Sequence, residues 1–239
     1  MSARNNIDGK AGAAMVMICA IWGLQQVAIK AAEPDISAVL QIAIRSGIAA
    51  LAVYLLARFK GEKFLFDPRT LLAGFGVGLS FALEFFFVSE GLRYTSASHM
   101  AVFLYTAPLF SAIGLHFFIR HERLSAVQWA GNAIAFGGVV LAISAMGESS
   151  GGVNQLRGDI YGLLAGLSWG GSTILIRTTG LANCSSKQTL LFQLTGACIV
   201  LSLLAMTMQN VHFTLSSVAW SSLVFQTVIV SFISYLIWF

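Results

Sequence analysis

The sequence predicts an all-α integral membrane protein built on inverted five-helix repeats (5+5 transmembrane helices), this chain holding about eight helices of ten. Three observations carry that reading. The first is composition: 57% of the 239 residues are hydrophobic and only 10% are charged, against roughly 25% charged in an average soluble domain. So few charges do not cover the surface of a soluble globule, and so apolar a chain is not disordered. The second is the length of the charge-free runs, and the third is an internal likeness between the two parts of the chain.

A membrane-spanning helix needs about 20 mostly apolar residues. No Asp, Glu, Lys or Arg occurs in Ala11–Ile29, Tyr94–Ile119, Leu124–Gly147 or Gln188–Phe239, and the last run accommodates two spans broken near Gln209-Asn210. Ile36–Ala57 carries only Arg45, Leu71–Ser89 only Glu84, and Ile160–Ile176 no charge. Eight helices follow, near 11–29, 36–58, 70–91, 96–119, 125–146, 159–178, 188–208 and 219–239. Strands of a porin-like barrel would alternate over roughly ten residues; these runs are continuous and longer. Arg4 and Lys10 precede an apolar run as in a secretory signal, but the run is long for one. The longest connector is Arg58–Arg69, so neighbouring helices are antiparallel.

Lys and Arg favour short cytoplasmic loops. Ten of them (Arg4, Lys10, Arg58, Lys60, Lys63, Arg69, Arg120, Arg123, Arg177, Lys187) fall on one side and three (Lys30, Arg93, Arg157) on the other. The N-terminus is therefore expected in the cytoplasm, with the Gly/Ser-rich loop Gly147–Asn154 outside. The +4 net charge is scattered and does not match a run of phosphates, which excludes a nucleic-acid partner. Cys19, Cys184 and Cys198 make no disulfide framework.

Ala20–Lys30 (AIWGLQQVAIK) repeats as Leu167–Arg177 (LSWGGSTILIR). Trp22-Gly23 meets Trp169-Gly170, Ser46-Gly47 meets Thr195-Gly196, and Ser80-Phe81 meets Ser231-Phe232, at offsets of 147 to 151 residues. The units are residues 1–146, with five helices, and 147–239, with three. An odd helix count inverts the second unit, and solute sites of inverted-repeat transporters lie between repeats near the midplane. In this register Phe239 corresponds to Val88, so the second unit is expected to continue for two more helices in the whole protein.

Gly91–Phe110 (GLRYTSASHMAVFLYTAPLF), Glu122-Arg123-Leu124-Ser125 and Gln128–Leu141 (QWAGNAIAFGGVVL), with Arg45 and the two Trp-Gly pairs, give the chain its family likeness. It resembles the EamA-like branch of the drug/metabolite transporter superfamily. The resemblance implies ten helices in two inverted repeats around a central cavity. It also implies export or exchange of small metabolites, often amino acids, across a cytoplasmic (inner or plasma) membrane.

The expected cavity residues are Trp22, Gln25, Gln26, Arg45, Glu84, Tyr105 and Trp169, with Pro108 as a kink. Charges inside a membrane face a partner or a watery cavity. Arg45 and Glu84 lie about 13 Å and 10 Å from the same end of their spans, at 1.5 Å per residue. That depth permits a pair, a carboxylate anchor at Arg45, a proton carrier at Glu84, or Arg45 snorkelling outward. Trp22 and Gln26 share a helical face, with Gln25 on its flank. Pro108 frees a carbonyl near Leu104. His99 and His116 are expected near the two interfaces. Gly162/Gly166/Gly170, Gly74/Gly78 and Gly131/Ala135/Gly138/Ala142 are expected helix-contact seams; a homodimer through such seams stays open. The G-x-S-x-G at Gly166–Gly170 lies mid-helix, without the strand–turn–helix setting of a hydrolase. Asn183-Cys184-Ser185 falls in a loop expected to be cytoplasmic, where the sequon is silent. No metal, nucleotide or redox motif calls for a cofactor. The expected partners are a small-molecule substrate and the lipid bilayer. The alternatives are a multi-pass membrane enzyme, which needs a nucleophile–base pair, and a non-transporting scaffold, which needs a substantial loop.

Overall fold

The computed structural model describes residues 9–145, 153–208, 211–214 and 216–238. Arg4, residues 147–152 of the expected outside loop, Gln209-Asn210 and Phe239 lie outside that set. The helices are α1 (Gly9–Ala32), α2 (Ala38–Phe59), α3 (Pro68–Leu92), α4 (Ala97–Leu104), α5 (Ala107–Phe118), α6 (Ala126–Ala145), α7 (Val153–Thr178), α8 (Ser186–Thr207) and α9 (Ser217–Val224). A π-helical stretch, Phe225–Ser234, continues α9 into α10 (Tyr235–Trp238). With α4–α5 and α9–α10 each taken as one segment, eight segments match the eight expected spans. Seven are long and apolar enough to cross a membrane. The other, α7, carries Arg157 and Asp159 and a side of glycines and serines. The chain is a multi-pass helical membrane protein.

Short polar residues start the helices. Asp67 caps α3 by accepting from the backbone N–H of Arg69 and Thr70, at 3.1 Å each, ahead of Pro68 in the first turn. Ser96, Ser185 and Ser216 cap α4, α8 and α9 in the same way. The fourth span breaks at Tyr105-Thr106, and Pro108 sits in the first turn of α5. The amide of Thr106 is left with the carbonyl of Phe103, three residues back (3.1 Å). The expected kink is therefore a break between two helices.

Helix α3 packs against both α7 and α8, α2 packs on α8, and the α9–α10 segment packs on α1 and α2. Glycine sets these distances. A Cβ on Gly196 would stand 2.5 Å from the Cα of Gly78, and one on Gly78 would stand 2.7 Å from the Phe192 carbonyl oxygen. The α3 and α8 backbones touch there. On α7, Gly158, Gly162, Gly166 and Gly170 receive the α3–α4 turn, Phe103, the Phe103 and Leu104 carbonyls, and Phe110. The carbonyl freed near Leu104 thus lies against α7. The expected seam on α6 differs. Gly131 and Gly138 have nothing within 4 Å of a built Cβ, and α6 leaves its apolar residues exposed. Small residues permit close approach but supply no partner. Among the described residues, ring contact of Trp129 with His116 (5.4 Å) helps hold α6 to the bundle.

The two ends of the bundle are tied differently. At one end Lys187 bonds Glu62, the Gln188 amide brackets the backbone of Leu65, and Arg177 bonds Glu122 (2.5 Å). At the other, Ile36 and Phe213 form an isolated antiparallel bridge, and Ser216 donates to Asp35 (2.5 Å). There Lys30 also donates to the Leu92 and Thr95 carbonyls, and His99, expected at the interface, is buried. Its Nδ1 lies 3.2 Å from Asp159, which also accepts from Thr95 (2.7 Å). Asp159 and Gln155 of α7 lie against the His99 ring.

Gly78→Ala is expected to lower stability by about 1–3 kcal/mol, the usual range for overpacking. Gly131→Ala, in open space, should change it by less than about 1 kcal/mol, in the favourable direction. Thermal melts in detergent measure both. The Lys187 hydrogen bond holds the Glu62 carboxyl below the usual carboxylate range. A lowered folded-state pKa adds stability above the unfolded value of about 4.3, and that stability is lost as pH falls through the lowered value. Lys187→Met should therefore cost up to about 1 kcal/mol at pH 7. The difference should vanish in acid, which melts over a pH series detect.

Candidate functional site

Six helical segments meet around one partly open cavity with about 40 Å3 of free space. From α1 come Trp22, Gln25 and Gln26, and from α3 Phe81, Glu84 and Phe85, whose spacing puts them on one face. Leu104 and Tyr105 come from the break after α4. Trp169 comes from α7, Gln193 from α8 and Tyr235 from α10. The sequence-expected residues Trp22, Gln25, Gln26, Glu84, Tyr105 and Trp169 are brought together here. Pro108 does not line the cavity; it ends the helix that would otherwise carry Tyr105 past it.

The walls are aromatic. The Trp22 and Trp169 rings meet edge to face at 5.4 Å, and Trp22 meets Tyr235 at 5.8 Å. Phe81 meets Tyr235 at 5.9 Å, and Tyr105 lies 6.2 Å from Trp169. Edge-to-face packing of this kind fixes ring orientation and adds attraction beyond area burial. Trp22 is nine-tenths buried at the centre of the bundle, not in an interfacial belt.

Several wall donors are already engaged. The Trp22 indole N–H donates to Ser234 Oγ (2.8 Å), the Tyr105 hydroxyl to the Cys19 carbonyl (2.9 Å), and the Gln193 amide N–H to Ser172 Oγ (3.2 Å). Several acceptors are not. Glu84 Oε2, Gln193 Oε1 and both polar atoms of the Gln26 amide are buried without a hydrogen-bond partner. Buried polar groups left in this state cost free energy, and a site that binds a polar solute leaves them for it.

Arg45 departs from expectation. It does not line the cavity and does not snorkel; only 1% of it is exposed. Its guanidinium lies 4.5 Å from the centre of the Phe85 ring, itself a wall residue. Nε and Nη1 have no hydrogen-bond partner. Glu84 and Tyr235 are in electrostatic reach, but Arg45 and Glu84 form no ion pair within 4 Å.

The expected set omits Gln193, Tyr235, Phe81, Phe85 and Leu104. Gln193 carries a signal: it is a lone amide inside a charge-free run, like Gln25 and Gln26. Phe81 shares the repeat register with Phe232. The aromatic and leucine residues otherwise look like any apolar span residue, and only packing selects them.

A helical membrane bundle with a polar-aromatic cavity between its segments is an architecture carriers use. The EamA-like transporter family matches residues 10–144, more than half of the chain, and the chain belongs to that family. A "probable amino-acid metabolite efflux pump" of Salmonella typhimurium is 30% identical over 161 residues, 67% of this chain and 51% of the relative. A protein of the same description from Escherichia coli is 30% identical over 162 residues, with the same shares covered. An uncharacterized transporter of Bacillus subtilis is 24% identical over 159 residues, 65% of this chain and 53% of the relative. The chain spans about half the length of the curated relatives it matches. No solved structure matches it. The family points to transport and not to catalysis.

The Trp22–Ser234 bond joins the two ends of the chain across the cavity wall. A double-mutant cycle of Trp22→Phe and Ser234→Ala should give a coupling of about 0.5–1.5 kcal/mol, the net value of one hydrogen bond. Melts of the four proteins measure it.

Proposed function

We propose that this chain forms the solute-conducting part of a secondary transporter of the inner membrane, its N-terminus in the cytoplasm. It exports or exchanges small amphipathic metabolites, amino acids or similar compounds, by alternating access. The observation that carries the reading is the cavity, centred on Trp22 and Trp169. These are corresponding positions of the two sequence units, and their rings touch at 5.4 Å.

The packing supports an inverted repeat. Under the register, α1, α2 and α3 correspond to α7, α8 and the α9–α10 segment. The α2–α8 contact then maps onto itself. The α3–α8 contact maps onto that of the α9–α10 segment with α2, and α3–α7 onto that of the same segment with α1. All three exist. Two similar bundles facing one cavity can rock about it and open it to either side in turn. The relatives' printed description, probable amino-acid metabolite efflux, agrees with the polar and aromatic lining of the cavity. The driving force would be a proton gradient or the solute gradient itself, with Glu84 as the proton-carrying group.

The test is transport by the whole protein in proteoliposomes, with a panel of labelled amino acids and amines and an imposed pH gradient. Uptake or efflux of at least one solute is expected. Glu84→Gln should reduce the pH-dependent component by about tenfold or more, since a neutral amide carries no proton. An unchanged rate and pH profile would remove Glu84 from the mechanism. Absence of transport of every solute would reject the carrier reading.

A further inference from the structure

We infer that a second solute site lies at the end of the bundle where Ile36 meets Phe213. It takes the zwitterionic head of a free amino acid, with the carboxylate on the N-terminus of α2 and the ammonium on Glu33. The site shares no lining residue with the central cavity.

The space is a partly open pocket of about 350 Å3, against about 40 Å3 in the central cavity. It falls within the roughly 300–1,000 Å3 usual for small-molecule sites. Four stretches of chain form it: the turn after α1 with Glu33, the start of α2, the end of α3 with Glu90 and Arg93, and the stretch after α8. The entry to α2 is fixed in place. The Ser37 N–H donates to the His212 carbonyl (3.1 Å), and the Thr214 N–H to the Asp35 carbonyl (2.8 Å).

One pole of this space supplies donors. Ser37 holds the N-cap position of α2, yet its side chain makes no capping bond. The residue lines the pocket and is 7% exposed, and its hydroxyl is buried without a hydrogen-bond partner. The next two N–H groups, of Ala38 and Val39, belong to the first helical turn, which offers them no intrahelical acceptor. Both residues line the pocket. A hydroxyl and two N–H groups at the positive end of a 22-residue helix suit a carboxylate. The other pole supplies an acceptor. Arg93 is engaged by Glu90, through Nη1 at 3.1 and 3.2 Å. The Glu33 carboxylate makes no ion pair within 4 Å among the described residues. His212 also lines the pocket, and its Nε2 lies 2.6 Å from the backbone carbonyl oxygen of Glu33. Glu33 thus offers its negative charge to an ammonium, a group made only of donors. An α-amino acid carries both charges on one carbon, whereas a solute with one of them leaves a pole unmatched.

The experiment is a calorimetric titration of the chain in nanodiscs with L-leucine, 3-methylbutylamine and 4-methylpentanoate. The three share one side chain and differ only in their charged groups. Leucine is expected to bind at least about tenfold tighter than either analogue, since each forfeits hydrogen bonds to a charged group. Ala38→Pro removes one N–H and keeps the helix: proline suits the first helical position, and Ser37, at φ −53 and ψ 137, already has the extended backbone that precedes proline. That variant and Glu33→Gln should each weaken leucine binding by about tenfold, with melts confirming that both are folded. Unchanged leucine binding by either folded variant overturns the inference. So does an analogue that binds as tightly as leucine, or no binding of leucine; these comparisons use the unaltered chain and do not depend on a variant folding. Transport in the proteoliposome assay is a separate readout. It upholds the carrier reading even if this site fails, and its absence rejects the carrier reading while leucine binding here would stand.

Discussion

Contact between glycine backbones is the constraint on which the arrangement depends. In lipid, helices gain little from burying apolar side chains against one another, so association rests on close packing. Gly78 and Gly196 let α3 touch α8, and the four glycines of α7 let that helix lie against the α3–α4 turn and the break beyond it. Helix α3 is therefore held on two sides. Its remaining face, with Phe81, Glu84 and Phe85, turns to the lumen. Where the small-residue pattern has no opposing backbone, as on α6, no such contact forms.

With the backbones fixed, two sets of polar groups inside the bundle stand in contrast. One kind is satisfied and structural: Gln41 is bonded to the Ile29 and Ile36 carbonyls and to the Gln226 amide, and Ser222 reaches the Ala28 carbonyl. These tie α1, α2 and the α9–α10 segment through internal hydrogen bonds, as backbone and side chain must be tied where water is excluded. The other is on the cavity wall, where Glu84 Oε2, Gln193 Oε1 and the Gln26 amide are left open. The contrast between Gln41 and Gln26, two buried amides in neighbouring helices, separates scaffold from site more sharply than burial does.

The break at Tyr105-Thr106 joins these two themes. A continuous helix would direct Tyr105 by the 100° step from Leu104. Pro108 denies the segment one backbone donor, and the interrupted turn sets Tyr105 against Cys19 and Trp169. The glycines of α7 receive the carbonyls exposed there, so the break is covered on one side and lines the cavity on the other. The π-helical stretch before Tyr235 does similar work in the last segment, since the wider turn changes which residues face inward.

Membrane residence, the helix segments and the depth of each intramembrane polar group could be read from the sequence. Depth is a linear property: residue count along a helix converts to distance, and charge-free runs bound the spans. That is why Trp22, Gln25, Gln26, Glu84, Tyr105 and Trp169 were legible as a group. Azimuth and neighbour are not linear. Arg45 matches Glu84 in depth, yet it does not line the cavity. His99 sits near a helix start, yet it is buried against Asp159 of α7. Phe81, Phe85 and Tyr235 are chemically ordinary for a span and become a wall only through helix rotation. The sequence alone determined what each segment is and how deep its groups lie. The tertiary structure decided which of them face one another, because rotation about a helix axis is set by the partner helices and is written in no single segment.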